Sequence, residues 1–182
     1  MGTGRPSGWA LNDATLVRWV REHGSGIRGY VAALVRDRSL AEDMVQEVFL
    51  RAWKQRESYV EQGSEKGYLF RIADRLVIDH RRAKSADSLP EAFEIIDHSV
   101  SAPLDELISR ESAERLREGM GRLSEAQRRV LLLRYFGQLK FEEIAPMIGC
   151  PLATALSHAR RGLEQLRAFF AASPSGSREG EL

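Results

Sequence analysis

Glu42, Asp43 and Glu47 place three carboxylates along one stretch of helical spacing, from Leu40 to Lys54. Clustered carboxylates hold divalent cations or serve as acid and base. No histidine or further carboxylate is spaced to complete such a site, so no catalytic residue, metal or cofactor is assigned to it. What remains is recognition chemistry. With Gln46, these carboxylates ring Leu50, which lies opposite the apolar face of Leu40, Met44, Val45, Val48, Phe49, Ala52 and Trp53. Two readings stand: a chance exposed leucine, common on any surface, or the apolar anchor of a docking face. A second set is Arg71, Arg75, Arg81 and Arg82 with Tyr59, Tyr68 and Phe70 nearby. Guanidiniums meet phosphates, and aromatic faces stack unpaired bases; the plainer reading is a solvated helix whose cations suit its C-terminal dipole. A third set is Thr154, Ser157, His158 and Arg161 on one side of the last helix, with Arg160 at its edge. Short hydroxyls followed by arginines suit base edges in a major groove, and the plainer reading is an ordinary amphipathic helix.

These sets sit on a chain of 182 residues with net charge +1, long enough for one domain or two small ones. A near-neutral total leaves nucleic-acid binding open, since placement of charge decides it. The single cysteine, Cys150, excludes a disulfide framework and a cysteine metal site, and its uncharged neighbours argue for packing rather than redox chemistry. No stretch approaches the roughly 18 apolar residues of a membrane span. Met1–Gly8 lacks the apolar core of a signal peptide, so a cytoplasmic protein without membrane insertion is expected. Without strand alternation or hairpin signals, the expected fold class is all-α.

The elements follow in order. Residues 1–12 read as a flexible lead, with Asn12 or Asp13 as a cap and Leu16, Val17, Trp19 and Val20 as a helical face. His23-Gly24-Ser25-Gly26 is expected to interrupt it, because each glycine weakens a helix by roughly 1 kcal/mol; His23 then stands at a helix end. A second helix carries Ile27, Tyr30, Val31, Leu34 and Val35. Ser39 is the expected cap of the carboxylate helix. Gln55–Glu65 is a loop, Ser64 caps the next helix, and Leu69, Ile72, Ala73, Leu76, Val77 and His80 form its inner face. Residues 85–109 hold Asp87, Glu91, Glu94, Asp97, Asp105 and Glu106, no Lys or Arg, and Pro90 and Pro103. That composition predicts a flexible acidic linker.

Helical period returns from Arg110 through Ala113, Leu116, Met120 and Leu123. Ser124 with Gln127 makes a capping box, and Val130, Leu131, Leu132 and Leu133 predict a buried helix. Phe141–Ile148 is a short helix that lacks a capping hydroxyl at Lys140 and contains Pro146, which predicts a kink. Gly149-Cys150-Pro151 is a turn before a long helix with Leu152, Ala155, Ala159, Leu163, Leu166 and Phe170 inward. Short helix, glycine turn and longer helix is the helix-turn-helix plan. Residues 173–182 form a Ser/Gly tail, expected to be disordered.

Leu40-Ala41-Glu42-Asp43-Met44-Val45-Gln46-Glu47-Val48-Phe49 with Arg51-Ala52-Trp53 resembles the region 2 signature of extracytoplasmic-function (ECF) sigma factors. These are small sigma-70-type subunits of bacterial RNA polymerase. Gly67-Tyr68-Leu69-Phe70-Arg71-Ile72-Ala73 and Ile78-Asp79-His80-Arg81-Arg82 resemble its segment that reads and melts the −10 element. Leu123 to Phe136, Phe141-Glu142-Glu143-Ile144-Ala145 and Gly149 to Thr154 resemble region 4, which reads the −35 element.

The resemblance implies two small helical domains, residues 13–84 and 110–172, joined by the acidic linker 85–109, which in the family threads the nucleic-acid channel of the polymerase. It implies a polymerase-docking face of Glu42, Asp43, Gln46, Glu47 and Leu50. The −10 contacts would be Tyr68, Phe70, Arg71, Arg75, Arg81 and Arg82, and the −35 contacts Thr154, Leu156, Ser157, His158, Arg160 and Arg161. The implied partners are core RNA polymerase (the clamp helices of its largest subunit, and its flap), promoter DNA and an anti-sigma protein.

Four departures stand out. Tyr68 replaces the usual tryptophan, Asp74-Arg75 the usual arginine-asparagine pair, Leu156 a basic residue and His158 an arginine. The expected function is a non-catalytic initiation factor. The alternatives are a sigma-like mimic that sequesters an anti-sigma protein and a plain helix-turn-helix regulator.

Overall fold

The structure, a computed structural model, describes residues 13–35, 37–55, 64–87 and 104–172. These residues form α1 (Asp13–Leu34), α2 (Arg38–Lys54), α3 (Glu65–Asp87), α4 (Leu104–Gly121), α5 (Glu125–Phe136), α6 (Phe141–Ile148) and α7 (Leu152–Ala172), with no strand among them. The all-α expectation holds. The lead to Asn12, the loop with Tyr59, most of the linker and the tail from Ser173 lie outside the described residues.

The first departure from expectation is α1, one unbroken helix through His23-Gly24-Ser25-Gly26. His23 is therefore mid-helix. The glycines serve packing. A Cβ on Gly26 would sit 2.9 Å from the Phe136 carbonyl oxygen, and one on Gly29 2.4 Å from the Phe136 ring. The helix propensity lost at these positions is offset by close approach of α5. Ile27, Tyr30 and Val31 bury beside them.

Asp37, not Ser39, caps α2: its carboxylate accepts from the Leu40 N–H at 3.1 Å. The α2 core face of Met44, Val45, Val48, Phe49 and Ala52 agrees with the periodicity, while Leu40 and Trp53 are only half-buried. Ser64 caps α3 as its type predicts, accepting from the Gly67 N–H at 3.0 Å. The inner face of α3 differs. Leu69, Phe70, Ala73, Asp74 and Val77 are buried, whereas Ile72, Leu76 and His80 are half-buried. A second domain covers another flank of this helix.

Helix α3 runs on to Asp87 and α4 begins at Leu104, so helix takes up both ends of the expected linker. The α4–α5 turn rests on Arg128. This buried guanidinium donates to the carbonyls of Met120, Gly121 and Leu123 at 2.9, 3.1 and 3.2 Å. It thereby satisfies carbonyls that a helix end leaves without intrahelical partners. The capping box at α5 is present, with Ser124 accepting from Gln127 N–H at 3.3 Å and Gln127 from Ser124 N–H at 2.8 Å.

At α6 the Lys140 side chain caps nothing, but Glu143 accepts from the Lys140 backbone N–H at 2.8 Å, so half of the box survives. The helix continues through Pro146 to Ile148. Gly149 ends it at φ 73°, a left-handed value that glycine adopts without a Cβ penalty, and Cys150 N–H reaches Ala145 O at 3.0 Å. On α7 the buried face is Ala155, Ala159, Gly162 and Phe169. Leu152, Leu163 and Phe170, expected inward, are exposed. Phe169 takes the inward place because its ring lies against Gly119 of α4, where a Cβ would come within 2.9 Å.

Helices α1–α3 pack on one another, and so do α4–α7. The two groups are not separate here. α1 packs on α5 and α3 on α6, and a single core runs from Ile27, Tyr30 and Phe70 to Val130, Leu133, Leu139 and Ile144.

Candidate docking and nucleic-acid interfaces

The outer face of α2 carries Glu42, Asp43, Gln46 and Leu50 in the open, with Glu47 half-buried at its edge. Leu50 is 44% exposed although its helix buries six neighbours. Arg51 donates to Glu47 at 2.7 Å, and that bond holds the Glu47 carboxyl below its ordinary range. Arg38 lies 3.7 Å from Glu42. The face is thus an apolar centre in an acidic and amide rim on a rigid helix.

The α3 set divides. Arg75 and Arg82 are exposed and Arg71 is half-buried. Arg81 lies 3.7 Å from Glu125 of α5, so the second domain already engages it. Tyr68 is half-buried, tilted against Trp19 with ring centroids 6.1 Å apart, and its hydroxyl donates to Gln55 at 3.2 Å. Burial pushes its hydroxyl pKa up. Phe70 corrects an expectation. It is 1% exposed, edge-on to Tyr30 at 5.7 Å, and offers no face to a base. Helical position explains this: Phe70, Ala73, Asp74 and Val77 share the inward side of α3.

Asp74 is the group that spacing alone did not find. It is 2% exposed. The Tyr30 hydroxyl donates to its Oδ1 at 2.6 Å, and Arg129 of α5 donates to Oδ1 at 2.9 Å and Oδ2 at 2.7 Å. Arg129 also reaches the Met147 carbonyl at 3.3 Å. Burial pushes the Arg129 pKa down, but the bonds and charge of Asp74 outweigh it and the net direction is up. Burial, then the Asp74 charge, drives the Tyr30 hydroxyl well above its ordinary value. The sequence signal was the departure at Asp74 itself, whose partner lies 55 positions away.

At the far end of α3, Arg18 bonds Glu22 at 3.0 Å and Glu65 at 2.6 Å, and His23 lies 4.0 Å from Glu65. Glu22, His23 and Glu65 bring their ligand atoms within 4.8 Å of one another. Arg18 already supplies the cation there. Burial lowers the His23 pKa against the pull of both carboxylates.

On α7, Arg160 and Arg161 are exposed and Thr154, Ser157 and His158 half-buried, along one side of the helix that follows the Gly149 turn. Arg160 lies 3.9 Å from Glu164. Leu156 is 45% exposed, so it points outward rather than into the core. Neither these residues nor those of α2 and α3 form a pair of nucleophile and base. What the arrangement presents is an apolar and acidic face on α2, cations on α3, and hydroxyls, a leucine and cations on α7.

Residues 19–86 match the family described as Sigma-70 region 2, and residues 113–166 match Sigma-70, region 4. All the sites above other than Arg18 fall within these two spans or between paired members of them. The chain is similar to the ECF RNA polymerase sigma factor SigK of Mycobacterium sp. (strain KMS), 29% identical over 147 residues, covering 79% of this chain and 76% of that one. SigK of Mycobacterium ulcerans (strain Agy99) is 29% identical over 145 residues, covering 78% of each. Two solved structures share the fold. CnrH in complex with the cytosolic domain of CnrY aligns with a TM-score of 0.69 at 18% identity, covering 90% of this chain and 92% of that one. The sigma factor RpoE in complex with the anti-sigma factor NepR from Bartonella quintana aligns with a TM-score of 0.67 at 20% identity, covering 87% and 98%.

Proposed function

The chain belongs to the sigma-70 family of RNA polymerase sigma factors, in its ECF group, and from that premise we propose how its faces divide the work of initiation. Sigma factors are not enzymes; they direct the polymerase to promoters. The α2 face of Glu42, Asp43, Gln46, Glu47 and Leu50 docks on the clamp helices of the polymerase largest subunit. Leu50 is the anchor and the carboxylates select a basic partner surface. The second domain sits at the polymerase flap.

Arg71, Arg75, Arg81 and Arg82 hold the phosphates of the −10 region, and Tyr68 supplies the stacking surface for an unpaired base. Phe70 supports Tyr30 in the core instead. Thr154, Ser157, His158, Arg160 and Arg161 meet the −35 duplex. Leu156 faces the groove, where an apolar side chain matches a thymine methyl. An anti-sigma protein is the regulatory partner, and the factor works in the cytoplasm. No helix of the described residues is long and apolar enough to cross a membrane.

The observation that carries this division is the outward exposure of Leu50 and Leu156 on helices whose opposite sides are core. The test is transcription in vitro with core polymerase and genomic fragments of the source organism. Discrete starts that share a −10 and a −35 motif are expected. Polymerase binding without transcripts would favour the mimic. No polymerase binding would leave the plain duplex-binding regulator.

A further inference from the structure

We propose that Asp74, Tyr30 and Arg129 form a latch that holds the free factor closed, with the −10 helix α3 turned against the second domain. The inference rests on the initiation reading above for its consequence, though not for its geometry. Asp74 sits on α3 and Arg129 on α5, and the pair is bidentate at 2.9 and 2.7 Å in a buried seam. Tyr30 of α1 fixes the carboxylate from the other side at 2.6 Å. Around this centre, Ser64 donates to Glu143 at 2.6 Å and Arg81 faces Glu125 at 3.7 Å. Phe136 closes the seam against the bare backbone of Gly26 and Gly29.

Closure conflicts with promoter reading. Elements named −10 and −35 lie about 25 base pairs apart, or about 85 Å at roughly 3.4 Å per pair. A compact chain of this length has a radius of gyration of about 16 Å, so it spans about half that distance. The two domains must part for both elements to be read at once. The seam suits that requirement. A buried ion pair adds little net stability over water, because both charges regain hydration when it opens, yet its geometry dictates one closed register. The resemblance also expects arginine where this chain has Asp74. Arginine there would set two guanidiniums face to face, so the closed seam is tied to this residue.

The test is small-angle scattering on the full chain, with circular dichroism as a check of folding. The variants are Arg129→Gln, which breaks the pair, and Gly26→Ala, which leaves the pair in place. In Gly26→Ala the added methyl meets the Phe136 backbone while the helix propensity of α1 improves. The swap Asp74→Arg with Arg129→Asp restores the pair. The expected result is a larger radius of gyration for the two single variants at wild-type helicity, and return to the wild-type value in the swap. Wild-type compactness in Arg129→Gln, or a swap as open as Arg129→Gln, overturns the latch. Should Arg129→Gln lose its helicity, Tyr30→Phe, which removes the other bond to Asp74, takes its place, and Gly26→Ala shows only whether the seam itself can be opened by packing.

Binding of the same variants to core polymerase reads the consequence. Opening should tighten apparent affinity by the factor by which closed molecules outnumber open ones in the wild type. Variants that open without any form of the protein binding polymerase would keep the latch and remove the initiation reading. Variants that open and bind no tighter would overturn closure as a restraint.

Discussion

Ser64 donates a 2.6 Å hydrogen bond to Glu143, and each of the two caps a helix in a different domain. Ser64 accepts from the Gly67 N–H at the start of α3, and Glu143 accepts from the Lys140 N–H at the start of α6. Burial pushes the Glu143 carboxyl up, but the Ser64 hydroxyl and the Lys140 N–H outweigh it, and its pKa is lowered. Ser64→Ala should cost about 1 kcal/mol from the cap alone. A double-mutant cycle with Glu143→Ala should show a coupling of about 0.5–1 kcal/mol after allowance for solvent. A coupling near zero in denaturant titrations would mean that the two caps act independently.

The docking face makes a prediction that separates binding from folding. Leu50→Glu with Gln46→Ala changes two exposed residues and no buried one. The thermal midpoint should stay close to that of the wild type, since exposed substitutions rarely move stability by more than about 0.5 kcal/mol. Affinity for core polymerase should fall by at least tenfold, as expected when an apolar anchor is replaced by a charge. Equal affinity for wild type and variant would show that α2 presents its face to something else.

Leu156 offers the corresponding test on DNA. Its exposure predicts that Leu156→Arg leaves the fold intact and changes the preferred −35 sequence. A guanine-directed contact should replace a thymine-directed one, with discrimination of about 1–3 kcal/mol at one position. Selection of bound sequences from a random duplex pool reads this directly. An unaltered motif would place Leu156 outside the interface.

Tyr30 gives the seam a pH signature. Its pKa is raised in the folded state by burial and by Asp74. The neutral hydroxyl is therefore favoured by folding. The associated stability is complete below the ordinary tyrosine value of about 10 and is lost as pH rises from there toward the higher folded value. Stability measured across the alkaline range should fall more steeply in the wild type than in Tyr30→Phe. Below that range, Tyr30→Phe should cost about 1–2 kcal/mol through the lost buried hydrogen bond. Identical alkaline profiles would remove the assigned role.

Much of this architecture was legible in one dimension because its causes are local. The Ser124–Gln127 box, the Ser64 cap, the left-handed Gly149 stop and the inner face of α2 each depend on residues within a turn or two. The short helix, turn and long helix of α6 and α7 came from the same near-neighbour rules. The expected Ser39 cap failed locally as well, since Asp37 two residues earlier is an equally good capping type and the backbone places it at the N-cap.

What sequence determined by itself, then, was helical class, the two-module order, the region 2 and region 4 signatures and the residue types of the exposed faces, because side-chain periodicity and capping act over a few residues. Tertiary structure decided the rest. The paired glycines of α1 read as a break until Phe136 is placed against them. Phe70 read as a base-stacking ring until α1 covers it with Tyr30. Arg128 and Arg129 are adjacent and alike in sequence. One satisfies three carbonyls of the α4–α5 turn, and the other crosses the domain seam to Asp74. A guanidinium finds its partner through space, and chain order carries no record of that distance.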